Sequence, residues 1–117
     1  MNFNDCYFLN AFHKARFKDM ARQNGRIYQS TTDLISAYVF SSSPELTSKT
    51  QGMLNDKTID FDAILKKDLT AEERLLVQLA GNYYDSTRYK SPAVADLISG
   101  LSGESYTVML NIFKMFN

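Results

Sequence analysis

An all-α fold, a single compact bundle of five to seven helices, is what the 117-residue sequence predicts. Three observations lead there. Residues 69–84 hold a complete helix signature: Thr70 stands as an N-cap, Glu73 follows three residues later, and Leu76, Leu79, Ala80 and Tyr83 recur at i, i+3, i+4 and i+7. Two further starts, Ser43-Pro44-Glu45 and Ser91-Pro92, set proline where a first helical turn tolerates it. The one run that could be read as a strand, Leu34 to Phe40, has no second strand to pair with. With no internal repeat, low-complexity tract or long linker, residues 1–117 read as one domain large enough for a single core.

In chain order, the first helix is predicted from about Asn10 to Asn24, capped by Asn10 and stopped by Gly25 in the left-handed conformation. The cluster Ser30-Thr31-Thr32-Asp33 then caps a helix through Phe40. The helix opened by Ser43 is expected to reach Leu54 or Asn55, weakened inside by Gly52. After a turn at 55–58, a short helix runs from about Asp60 to Lys67 and packs against the 69–84 helix. Leu75 and Val77 widen the apolar stripe of that helix, so it should be contacted on more than one side. Residues 85–90 form a polar connection, and Ser91-Pro92 opens a helix through Ile98 that Gly100 stops. The last helix, capped by Ser102, carries two apolar stripes, Tyr106, Met109, Leu110, Phe113 and Phe116 with Val108, Ile112 and Met115, and should be buried nearly all round.

Composition narrows the function. Hydrophobic residues make up 44% and charged residues 22%, globular proportions that argue against disorder. Thirteen basic and thirteen acidic side chains cancel, against binding dominated by phosphates or anionic membrane. One cysteine, Cys6, leaves no intramolecular disulfide or thiolate cluster and points to a reducing compartment. No stretch nears the roughly 18 apolar residues that cross a bilayer, and the start Met-Asn-Phe-Asn-Asp lacks a signal-peptide pattern. A soluble cytoplasmic protein is expected.

The residues that carry chemistry are sparse. His13 is the one histidine and has no metal-ligand spacing or nucleophile around it, so it reads as a partly exposed helix residue. Cys6 reads equally as a reactive thiol or as a small apolar filler near the N-terminus. Asp60 with Asp62 and Glu72 with Glu73 sit at helix starts, at spacings that do not aim two carboxylates at one atom. There is no calcium loop and no glycine-rich phosphate cradle. No enzyme, catalytic residue, cofactor or metal is expected.

Two surfaces remain. The first is tyrosine-rich: Tyr83, Tyr84, Arg88, Tyr89 and Lys90, half-wet side chains suited to an interface, where alanine at Tyr84 and Tyr89 is expected to remove a partner without unfolding the domain. The second is basic: residues 1–30 hold Lys14, Arg16, Lys18, Arg22 and Arg26 against Asp5 and Asp19. Arg16, Lys18 and Arg22 could serve a DNA-associated regulator built on a helix-turn-helix-like pair between Thr70 and Gly100. Its recognition helix, Pro92 to Ile98, offers no Arg, Lys, Asn or Gln to read bases, which favours a merely solvated basic face over DNA binding.

Phe8-Leu9-Asn10 with His13 and Phe17, Glu73-Arg74-Leu75 leading into Ala80-Gly81-Asn82-Tyr83-Tyr84, Ser91-Pro92 before Asp96-Leu97-Ile98-Ser99, and the closing Phe113-Lys114-Met115-Phe116-Asn117 form a pattern. In it the chain resembles a family of small uncharacterised proteins from Gram-positive bacteria, their phages and mobile elements. The resemblance implies a short, helical, cytoplasmic accessory protein that binds a host or element protein, and it brings no catalytic residue. The expectation is therefore a non-enzymatic interaction protein of a phage or mobile element. Near-zero net charge and an apolar terminal helix make a homodimer its nearest form.

Overall fold

Helices account for the architecture because most of them start on a side chain that satisfies their own first amides. The computed structural model describes residues 7–28, 30–55 and 58–116. Cys6, the pair 56–57 of the expected turn, and the side chains of Arg26 and Phe116 lie outside what is described. Among the described residues there are seven α-helices and no strand beyond an isolated antiparallel bridge, Leu54 to Ile59. The all-α expectation holds.

Helix α1, Ala11–Gln23, begins on Asn10, whose side chain accepts from His13 N at 2.9 Å. Its end differs from expectation, for Gly25 does not adopt positive φ. Asn24 closes the helix by donating its N–H to Met20 O at 3.0 Å, and Gly25 opens a 3-10 turn, Gly25–Tyr28, that carries Ile27 into the core. Helix α2, Thr31–Phe40, is capped by Ser30 and buried without interruption from Ile35 to Phe40.

Helix α3, Pro44–Lys49, starts as expected on Ser43 but stops well before Leu54. The Thr50 hydroxyl donates to Leu46 O at 2.7 Å, and Gly52 turns the chain at φ +80°, a conformation that favours glycine. Helix α4 is a single turn, Phe61–Leu65, capped by Asp60. It ends ahead of Lys67, and the Arg74 guanidinium reaches the freed Leu65 carbonyl at 3.0 Å.

Helix α5, Ala71–Tyr84, has the full capping box: Glu73 N donates to Thr70 Oγ1 at 3.1 Å and Thr70 N to Glu73 Oε1 at 2.8 Å. It buries Leu76, Val77, Leu79, Ala80 and Gly81 and packs against α2, α4, α6 and α7. Helix α6, Val94–Gly100, starts later than Ser91-Pro92 implied. The Ser91 hydroxyl donates to the Pro92 carbonyl, and Ala93 is left as an N-cap without a side-chain bond. Helix α7, Gly103–Phe116, opens on Gly103 at φ +56°, with the hydroxyl of the expected cap Ser102 donating instead to Glu72 Oε1 at 3.2 Å, and buries Val108, Met109, Ile112 and Met115. Leu110 is 37% exposed, so α7 turns one face inward rather than being buried all round.

Candidate functional site

The tyrosine surface is assembled by the last turn of α5 and the 85–90 connection folding back over α4. Asp85 sets that connection: its Oδ1 accepts from Thr87 Oγ1 at 2.8 Å and from the amides of Thr87 and Arg88. The Thr87 hydroxyl, ahead of those amides, holds the Asp85 carboxyl below its ordinary range. Tyr84 and Tyr89 then lie on either side of the buried Phe61, with ring centroids 5.3 and 5.4 Å from it. The Tyr84 hydroxyl accepts from Ile59 N at 3.1 Å and pairs with Thr58 Oγ1 at 3.0 Å. The Tyr89 hydroxyl donates to Asp62 Oδ1 at 3.0 Å, its carbonyl accepts from Asn82 Nδ2 at 2.8 Å, and Arg88 pairs with the other oxygen of Asp62. Close approach to Gly81 makes this fit possible, since a Cβ there would meet Tyr89 Cβ and Phe61 Cδ1 at 3.3 Å.

Of the five residues expected at a partner surface, the structure thus brings Tyr84, Arg88 and Tyr89 together around Phe61 and Asp62. Tyr83 is half-buried, and burial pushes its phenol up from the ordinary value. Lys90 is exposed. The expectation that alanine at Tyr84 and Tyr89 leaves the fold untouched meets a geometric objection. Both rings pack on Phe61 of α4, and the two hydroxyls tie residues 58–59 and Asp62 to the end of α5 and the connection after it, so these two residues are structural as well as half-exposed.

Next along the chain is a surface the sequence reading passed over. On α6 Leu97 faces the core, whereas Val94 and Ile98, one turn apart, are 68% and 57% exposed. The sequence marks this run as an apolar helix with nothing to recognise bases, and its outward apolar pair lies outside the two expected surfaces. The readable signal was i, i+4 apolar spacing on a helix of two turns, too short to bury both of its sides.

The expected basic face does not gather. Arg16 is half-buried and donates from Nε to Ser41 O at 2.8 Å and from Nη2 to Ser42 O at 3.3 Å, closing the C-terminal end of α2. Lys18 and Arg22 are exposed on other sides of α1, about 160° and 120° of helical rotation from Arg16. Arg22 pairs with Asp19. Replacing Arg16 with methionine is expected to cost about 1–2 kcal/mol, seen as a lower urea midpoint, because two carbonyls lose a charged donor. A variant as stable as the parent would return Arg16 to the surface.

His13 is fully buried, contrary to the expected partial exposure. Its ring stands 4.6 Å from that of Tyr38 and 5.1 Å from that of Phe8. Leu9 N donates to Nδ1 at 3.2 Å, and Nε2 lies 3.0 Å from Tyr38 O. A carbonyl can only accept, so the proton sits on Nε2 and the ring is neutral. Burial, with the positive charge of Arg16 adding to it, lowers its pKa to about 4 against the pull of the Tyr38 carbonyl.

A cleft of about 150 Å³ opens where the first turns of α3, α5 and α7 meet, floored by Leu46, Leu76 and Val108 and rimmed by Glu72, Glu73 and Glu104, with Leu9 on one wall. Glu72 Oε1 accepts from Ser105 Oγ at 2.5 Å and from Ser102 N at 2.8 Å, which lowers its pKa. Burial raises the carboxyl of Glu73, but Lys49 Nζ at 2.7 Å and the Thr70 amide outweigh it and the net shift is downward. Both carboxylates serve to tie helix ends together. Among the described residues no three His, Cys, Asp or Glu side chains converge as a metal site, and no helix is long and apolar enough to cross a membrane. Comparison of the chain with protein-family models, with curated proteins and with solved structures returned no match.

Proposed function

We propose that the protein acts without catalysis, by holding a protein partner on the surface formed by the 85–93 connection and the outer side of α6. The observation that carries this reading is the exposed pair Val94 and Ile98, one turn apart and close in the chain to exposed Lys90 and half-buried Tyr89. An apolar centre beside tyrosine and basic side chains is the usual composition of an interface. The partner that fits has an apolar helical face of its own, and a second copy of the chain is its nearest form. The reading extends to an accessory protein of a phage or mobile element, at work in the cytoplasm, in line with the family the sequence resembles. A DNA-associated role through Arg16, Lys18 and Arg22 draws less support, because the Arg16 guanidinium is engaged by α2 and Arg22 by Asp19.

The doubly charged variant Val94→Asp, Ile98→Asp tests the reading without touching the aromatic clasp. Affinity capture from the native lysate after nuclease, together with sedimentation of the pure protein, should show the partner or the dimer lost. The melting temperature should stay within about 2–3 °C, since both side chains are exposed in the free chain. Undiminished capture and an unchanged oligomeric state would remove this surface from consideration.

A further inference from the structure

The segment 7–10 runs ahead of α1 and is fastened by the buried His13 of α1, the buried Tyr38 of α2 and the half-buried Asn111 of α7. The Tyr38 hydroxyl donates to Tyr7 O, and Asn111 Nδ2 of α7 donates to the same carbonyl at 2.9 Å and to the Tyr38 hydroxyl at 3.0 Å. Phe8 lies against His13, Phe17 and Tyr38, with ring centroids 5.1, 5.3 and 6.1 Å away. Leu9 gives its amide to His13 Nδ1 and its side chain to the wall of the α3/α5/α7 cleft.

We propose that residues 7–10 form a strap over the cleft, latched by neutral His13, and that a second proton on the imidazole unlatches it. The only free nitrogen for that proton is Nδ1, which already receives the Leu9 N–H. Protonation there sets donor against donor, and the Leu9 amide must leave. The charged and titratable groups that face the ring among the described residues are Arg16 from α1 and the Tyr38 phenol from α2. Neither supplies a negative charge to hold an imidazolium in place: Arg16 is itself positive, and burial raises the Tyr38 phenol to about 12. Opening the strap wets the imidazole and removes one wall of the cleft, while α2, α5 and α7 keep their mutual packing. Such sub-global opening is how low-stability segments separate from a core.

Amide hydrogen exchange of the full chain, resolved at single residues between pH 7 and pH 4.5 and corrected for intrinsic rates, tests the latch. The opening constant of the Leu9 amide should rise by up to about tenfold per pH unit below pH 6, as a one-proton equilibrium requires, while the amides of Leu76 to Ala80 stay far better protected. In His13→Gln, whose side chain does not titrate, the rise should vanish. Tyr38→Phe, which removes one of the two bonds to Tyr7 O, should raise strap opening severalfold at every pH and leave the slope unchanged. A Leu9 amide that is insensitive to pH, or that exchanges in step with α5, would overturn the proposal. If His13→Gln does not fold, the wild-type contrast between strap and α5, with Tyr38→Phe, decides the question alone.

Discussion

Replacing Phe61 with alanine is expected to destabilise the protein by about 3–5 kcal/mol, the range for emptying a buried aromatic site, and to lower the melting temperature by on the order of 10–20 °C. Phe61 is fully enclosed, with Phe40, Tyr84 and Tyr89 around it at 5.3–5.7 Å between ring centroids. It is also the first residue of α4, a helix of one turn that has little stability of its own. Removing the ring therefore takes away the packing that holds α4 down and the surface on which both tyrosines rest. Collapse of the site is resisted by their hydroxyls, which are fixed by Asp62, Thr58 and the Ile59 amide. Phe61→Leu, which keeps most of the volume, should lose less than half as much. Urea unfolding of the two variants checks this, and a cost for alanine below about 1 kcal/mol would mean that the cluster is held from elsewhere.

Acidification is the second large effect. His13 has a folded-state pKa of about 4, against 6.5 when free. Between those values the unfolded chain binds a proton that the folded chain refuses, so stability is full above pH 6.5 and declines as the pH falls towards 4. The full shift corresponds to about 3 kcal/mol at most. Release of the 7–10 segment would cap the loss at the free energy of that release, since an opened strap lets the folded chain accept the proton. Unfolding midpoints at pH 7, 5.5 and 4 should therefore fall more steeply in the wild type than in His13→Gln, and any shortfall from the ceiling measures the latch. The carboxylates of Glu72, Glu73 and Asp85, held below their usual values, begin to lose their contribution as the pH falls past those ordinary values, and to the same extent in both proteins. Parallel curves for the two proteins would show that His13 is wet in the folded state.

Helix starts were legible in the sequence where the cap is local. Ser30, Ser43, Asp60 and the Thr70–Glu73 box each meet an amide three residues away, and such contacts need no knowledge of the fold. Ser91-Pro92 has the same look but does not cap, because its hydroxyl turns to its own neighbour's carbonyl. The ends were harder to read: α3 stops where the Thr50 hydroxyl and Gly52 compete with the helix, not where its apolar residues give out. The site was least legible. Arg16 closing α2, Glu72 holding the start of α7 and His13 meeting the Tyr38 carbonyl each depend on residues 25 or more positions distant. A basic residue meant for phosphate and one meant for a carbonyl are identical on the page. So are a tyrosine offered to a partner and one whose hydroxyl closes a loop.

Helices α2 and α5, the pair in widest contact, are separated by residues 41–70. Closing a loop of that size costs only logarithmically more than closing a shorter one, and each of the two helices carries its own cap before they meet. The rate at which the chain folds should then be governed by the encounter of these two helices, which are too short to stay formed alone and gain their stability on meeting. The segments α3 and α4, draped across that encounter, would join afterwards and govern how fast the protein comes apart rather than how fast it assembles.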